Sequence, residues 1–157
     1  MQKTILFIED EQDYREIMSD LLTDTFDRVL TAADGTEALA IAKSERLDVI
    51  LSDVSMPEMR GDDFLRNLRA AGNTTPIVFL TGNADKSLAV SVLRLGAADI
   101  IDKPAKYNTV RETLERVLEI ARRENEFHTA KSEDEAAKAK KMVGLLKAVN
   151  DQKRKLS

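Results

Sequence analysis

Apolar residues along this chain fall into two alternating rhythms. Short unbroken runs come at Ile5-Leu6-Phe7-Ile8, Val29-Leu30-Thr31-Ala32, Val49-Ile50-Leu51, Ile77-Val78-Phe79-Leu80 and Ile100-Ile101. Runs without polar alternation predict strands covered on both faces, as in a parallel sheet. Between them, apolar residues recur three and four apart. The first such set is Tyr14, Ile17, Met18, Leu21 and Leu22; the second is Ala38, Leu39, Ala42 and, less regularly, Leu47. Phe64, Leu65 and Leu68 follow, then Leu88, Val92 and Leu95, then Val110, Leu114, Val117, Leu118 and Ala121. That spacing predicts five amphipathic helices. The punctuation agrees: Gly72-Asn73 closes the third helix, Gly96 closes the fourth, and Pro57, Pro76 and Pro104 fall where the chain turns. Five strands alternating with five helices predict a (βα)5 unit of the α/β class, because parallel neighbours need crossover connections. In such open sheets the ligand crevice lies beyond the carboxyl ends of the strands.

The strand ends carry the chemistry. Strand one runs into Glu9-Asp10-Glu11, and strand three runs through Ser52 into Asp53. Acids at a helix N-terminus are ordinarily stabilising, so Glu9-Asp10-Glu11 alone reads more readily as a cap for the next helix. Asp53, at the end of a buried run with Met56-Pro57 behind it, has no such explanation. If the two strands are adjacent, the carboxylates converge, and clustered carboxylates call for a cation. Strand four is followed by Thr81-Gly82-Asn83 and strand five by Asp102-Lys103-Pro104. A hydroxyl and an ammonium opposite the acids supply a donor and a positive charge for phosphate oxygens.

Composition narrows the choices. The chain has no cysteine and a single histidine, His128, which leaves oxygen as the ligand for any metal and favours Mg²⁺. The N-terminal apolar run is too short for a signal peptide and no stretch is long enough to span a bilayer, so a cytoplasmic location is expected. Charge is divided unevenly: residues 1–121 carry a net −8 and residues 122–157 a net +4. The basic stretch interleaves acids and holds one aromatic, Phe127, which argues against direct DNA binding.

Taken in order, the apolar strand ending in Glu9-Asp10, the segment from Asp53 through Met56-Pro57 to Gly61, Thr81-Gly82, Leu95-Gly96-Ala97-Ala98-Asp99 and Lys103-Pro104 resemble the receiver domain of two-component response regulators. The resemblance covers residues 3–121. It implies a flavodoxin-like, doubly wound five-stranded parallel sheet in the order 2-1-3-4-5, as in the chemotaxis regulator. It implies that Asp53 accepts a phosphoryl group from a sensor histidine kinase or a histidine phosphotransfer protein. It further implies that Asp10, Asp53 and the backbone carbonyl of Ser55 hold Mg²⁺, with Glu9 assisting through coordinated water. Lys103 and Thr81 would contact the phosphoryl group, Gly82 would leave room for it, and a cis peptide before Pro104 would aim the lysine. The protein would catalyse only its own phosphorylation and dephosphorylation, and would signal to a downstream protein target through movement of residues 82–100. Two positions depart from the pattern. Ile100 stands where receivers commonly carry Tyr or Phe, and Ala105 replaces a bulky residue. Asn83 and Ser55 flank the site; Asn83 reads equally as a water-orienting group and as a loop residue.

Rival chemistries lack their signatures. Haloacid-dehalogenase-like phosphatases place a second Asp two residues after the nucleophile, where this chain has Ser55, and neither G-x-G-x-x-G nor G-x-x-x-x-G-K-[ST] occurs. Residues 122–157 are too few for a typical DNA-binding output domain and show no helix-turn-helix pattern, so a stand-alone receiver is expected. Arg122 to Glu126 prolong the fifth helix, Phe127 to Ser132 are less committed, and Ala136, Ala139, Met142, Val143, Leu146 and Val149 form an amphipathic stripe. That basic, helical extension reads as a solvated tail, or as a helix that forms a homodimer with its own copy or docks on a partner; a membrane partner is the weaker fit.

Overall fold

The structure is a computed structural model that describes residues 2–156. Five parallel strands, β1 (Thr4–Ile8), β2 (Arg28–Ala32), β3 (Val49–Asp53), β4 (Ile77–Thr81) and β5 (Asp99–Asp102), form one sheet in the order β2-β1-β3-β4-β5. Helices α1 (Gln12–Leu22), α2 (Gly35–Ser44), α3 (Gly61–Ala70), α4 (Lys86–Arg94) and α5 (Tyr107–Leu156) follow the strands in turn. The flavodoxin-like architecture expected from the sequence is the one observed.

Both sheet faces are covered, which is why the strands read as unbroken apolar runs. Leu6, Ile8, Ile50, Ile77 and Phe79 pack on one side with Ala38 and Ala42 of α2, Phe64, Leu65 and Leu68 of α3, and Val92 of α4. Ile5, Phe7, Val49, Leu51, Val78, Leu80 and Ile101 pack on the other with Met18 and Leu22 of α1 and Val110, Leu114 and Val117 of α5.

Helix boundaries follow local chemistry. Asp34 accepts a hydrogen bond from the Glu37 amide at 2.8 Å, which satisfies a donor that the start of α2 leaves open, and Glu37 reaches back to accept from the Ala33 amide, just before the cap, at 3.0 Å. Gly72 and Gly96 take positive φ of 82° and 97°. Beyond them the Asn73 amide reaches the Leu68 carbonyl and the Ala97 amide reaches Val92, the six-to-one bond of a glycine-terminated helix.

Two expectations need correction. Leu47 does not extend the second helix: α2 ends at Ser44, Glu45 turns to extended backbone, and Leu47 is buried in the connection to β3. Phe127 to Ser132 are not a looser stretch, because α5 is continuous from Tyr107 to Leu156. No helix breaker stands between Pro104 and Gly144, and the Glu, Lys and Ala residues that fill the stretch are good helix formers. The chain divides into two units, Met1–Glu119 and Ile120–Ser157. In the second, every described residue except Ala121 is exposed, including Met142, Val143, Leu146 and Val149. Among the described residues no helix is long and apolar enough to cross a membrane.

Candidate functional site

Strand register brings the predicted residues together. β1 lies between β2 and β3 with Ile8 opposite Ser52, so Glu9 and Asp10, which follow Ile8, emerge beside Asp53, the last residue of β3. On the other side Asp53 pairs with Leu80 and Thr81 pairs with Asp102. Thr81 and Lys103 therefore reach the same edge of the sheet, and the Lys103 amide donates to the Thr81 carbonyl at 2.8 Å.

Asp53 is 6% exposed and has both oxygens engaged. Oδ1 accepts the Ser55 amide at 3.0 Å, and Oδ2 accepts from Lys103 Nζ. The same ammonium lies 4.0 Å from Glu9 Oε2. The Lys103–Pro104 peptide is cis. The carboxylates of Glu9, Asp10 and Asp53 each present an oxygen within 4.8 Å of the others, with Glu9 and Asp53 buried and Asp10 exposed.

Glu9 is the electrostatic anomaly. Its Oε2 is buried without a hydrogen-bond partner, while Oε1 accepts the Glu11 amide at 3.3 Å. Burial, with the Asp53 charge second, pushes its carboxyl up to about 7. Burial also pulls the Lys103 ammonium down, but its hydrogen bond to Asp53 and the charges of Asp53 and Glu9 outweigh that and hold it above the usual lysine value. A buried lone pair in an acidic group, beside a half-buried ammonium, is what a hard cation with oxygen preference would satisfy. The donor set fits Mg²⁺.

A family model, the response regulator receiver domain, matches residues 5–115. This chain belongs to the receiver-domain family. Known receivers resemble it throughout that span. It is 32% identical over 111 residues to the regulator of RpoS from Escherichia coli K12, covering 70% of this chain and 33% of that protein. Identity to the transcriptional regulatory protein FixJ of Rhizobium meliloti is 32% over 116 residues, 74% of this chain and 57% of FixJ. The matched span is thus one part of each of these relatives. Among solved structures, the chemotaxis response regulator CheY4 of Vibrio cholerae superposes with a TM-score of 0.69 at 37% identity, covering 74% of this chain and 99% of that one. Receiver domains are signalling modules, and phosphorylation-based signalling is general to the family.

Within this receiver the remaining predicted residues sit as follows. Thr81 is 4% exposed and its hydroxyl donates to the Gly82 carbonyl at 3.3 Å. Beside Gly82 an added Cβ would meet only Asp85 Oδ2, at 3.6 Å. Asn83 opens a single 3-10 turn, Asn83–Asp85, and is exposed. Ile100 is half-buried against the cluster that α2, α3 and α4 share, and Ala105 packs with the cluster on the α1 and α5 side.

Three residues have roles that the sequence pattern does not indicate. Arg15 extends from α1 to donate to the backbone carbonyls of Glu9, at 2.8 Å, and Asp10, at 3.4 Å, which pins the acidic turn from behind. Tyr14, which the pattern marks only as a helix-core residue, places its ring 6.0 Å from Lys103 Nζ and edge-on to Phe7. Gly61 has no room for a side chain: a Cβ there would come within 2.8 Å of Phe79 Cε1 and 3.0 Å of the Val54 carbonyl. Its own amide donates to that carbonyl at 2.9 Å, closing the loop behind Asp53. A guanidinium's reach and a tertiary close approach leave no local mark in a sequence.

Proposed function

We propose that this receiver is a Mg²⁺-dependent phosphorylation switch in which Asp53 is the acceptor. The observation that carries the reading is the joint environment of Asp53, whose Oδ2 meets Lys103 and whose neighbours Glu9 and Asp10 offer carboxylate oxygens within 4.8 Å. An Asp53 oxygen attacks the phosphorus of a phosphohistidine on a kinase or phosphotransfer protein; the new O–P bond forms as the P–N bond breaks, and the imidazole leaves with the electron pair. Bound Mg²⁺ would supply charge neutralisation to the transferring phosphoryl oxygens. Asp10 and Asp53 would hold it directly with the Ser55 carbonyl, and Glu9 through water. Lys103 would keep its positive charge on the same oxygens, and Thr81 would turn from the Gly82 carbonyl toward them.

The domain division that goes with this reading is a receiver over 3–121 and a helical extension over 122–157. Output passes through protein contacts: a phosphoryl group adds about −1.5 to −2 of charge and three strong acceptors, enough to reposition residues 82–100. With Ile100 in place of an aromatic, that movement proceeds without a ring rotating inward. Residues 122–157 supply a second contact surface by pairing with their own copy.

Incubation with Mg²⁺ and acetyl phosphate, followed by intact mass measurement, tests the acceptor. Wild type is expected to gain one phosphoryl group and Asp53→Asn none. An equal gain in Asp53→Asn, or no gain in wild type with either acetyl phosphate or a phosphorylated histidine donor, overturns the assignment.

A further inference from the structure

Ala139, Met142, Leu146 and Val149 step along α5 by three and four residues, the repeat of a two-helix seam. They are exposed, Met142 and Leu146 at 58% each and Val149 at 51%. One further step in each direction lands on charge: Glu135 four residues before Ala139, and Lys153 four after Val149. The seam is thus apolar at its centre, acidic at one end and basic at the other.

The helix macrodipole accounts for only part of this. It favours cations in the last turn, where Lys153, Arg154 and Lys155 lie. Its influence fades within the first and last turns, so it gives no reason for the acids Glu133, Asp134 and Glu135 in the middle of α5. Lys138 pairs with Asp134 at 3.0 Å along the helix, and Glu135 still stands at a seam position.

We propose that this segment pairs antiparallel with the same segment of a second copy of this chain. The inference rests on the self-association put forward above and adds its direction and register. Run antiparallel, the seam places Glu135 opposite Lys153 of the copy, Ala139 opposite Val149, and Met142 opposite Leu146. The outer layers then join unlike partners, acid with base and Ala139 with the larger Val149, the central layers join Met142 with Leu146, and the twofold axis repeats each layer. Run parallel and in register, Glu135 meets Glu135, Lys153 meets Lys153, and Ala139 faces Ala139 across a gap. Like charges at facing positions repel and two alanines leave the layer underfilled. One sequence therefore favours one direction and penalises the other, and a seam this short has little burial with which to override the difference.

The chain has no cysteine, so Ala139→Cys and Val149→Cys each introduce a sole thiol. Under mild oxidation, crosslinked dimer is expected when the two variants are mixed and not from either alone; crosslinking of each variant with itself, as strong as in the mixture, overturns the antiparallel direction. Sedimentation equilibrium gives an independent reading. Glu135→Lys and Lys153→Glu are each expected to weaken the wild-type dimer about tenfold, and the double swap to restore it to within about twofold. Unchanged affinity in the single variants overturns the direction while leaving self-association standing. A wild-type chain that stays monomeric at all concentrations overturns both.

Discussion

Two apolar stripes, one in the receiver body and one in residues 120–156, look alike in sequence and meet opposite fates. Phe64, Leu65 and Leu68 on α3 are at most 1% exposed, because the sheet lies across them. Met142, Val143, Leu146 and Val149 recur at the same helical spacing and remain 51–66% exposed. Periodicity records which face of a helix is apolar; topology decides what covers it. In the body the cover is β-sheet within the same chain. For the second unit the pairing proposed above supplies it from a second copy, so the same kind of substitution should act on folding in one place and on association in the other.

The largest expected contrast comes from truncating matched positions. Phe64→Ala should cost about 3–5 kcal/mol of stability, seen as a lower denaturant midpoint. Leu146→Ala, at the other end of the range, should change that stability by less than about 0.5 kcal/mol while weakening self-association in sedimentation. A large loss of body stability in Leu146→Ala would erase the distinction between the two stripes.

Acid–base behaviour sharpens it next. The folded value of Glu9 lies near 7, above the ordinary 4.5, so between those limits the folded state binds more protons than the unfolded one. Its contribution to stability is full below about pH 4.5 and disappears as pH rises through 7, a loss on the order of 1–3 kcal/mol. Metal-free protein should therefore lose thermal stability over that window relative to Glu9→Gln, and added Mg²⁺ should offset the loss near neutrality. The exposed stripe has no buried acid and should show no counterpart.

Level with the Glu9 effect and above that of Leu146→Ala stands Gly61→Ala. A methyl forced against Phe79 and the Val54 carbonyl should destabilise the body by about 1–3 kcal/mol and slow phosphorylation by loosening the loop behind Asp53. Gly144→Ala in the second unit meets nothing within 4 Å, so equal losses at the two glycines would contradict the picture of a packed body and an open helix.

Most of the sheet was legible because strands buried on both faces have to be continuously apolar, as Ile5 to Ile8 and Ile77 to Leu80 are. The convergence of Glu9, Asp10, Asp53, Thr81 and Lys103 was legible because all five follow or end strands, where alternation of strand and helix puts them on one edge. Leu47 misled since a buried loop leucine and a helical one look the same in one dimension. Phe127 to Ser132 misled in the opposite sense: a polar stretch without an apolar face carries no periodic signal, yet nothing in it breaks a helix. Arg15, Tyr14 and Gly61 were illegible in their roles because each acts across a gap that only the folded backbone closes.

Tyr14 leaves the protein with a built-in optical probe. The chain has two tyrosines and no tryptophan, so its near-ultraviolet absorbance and emission come chiefly from two phenols in different settings. Tyr107 shares a hydrogen bond with Thr25 at 3.2 Å, whereas Tyr14 faces the Lys103 ammonium. Any event that draws that ammonium onto a new anion changes the field on one phenol and leaves the other as an internal reference, readable without a label.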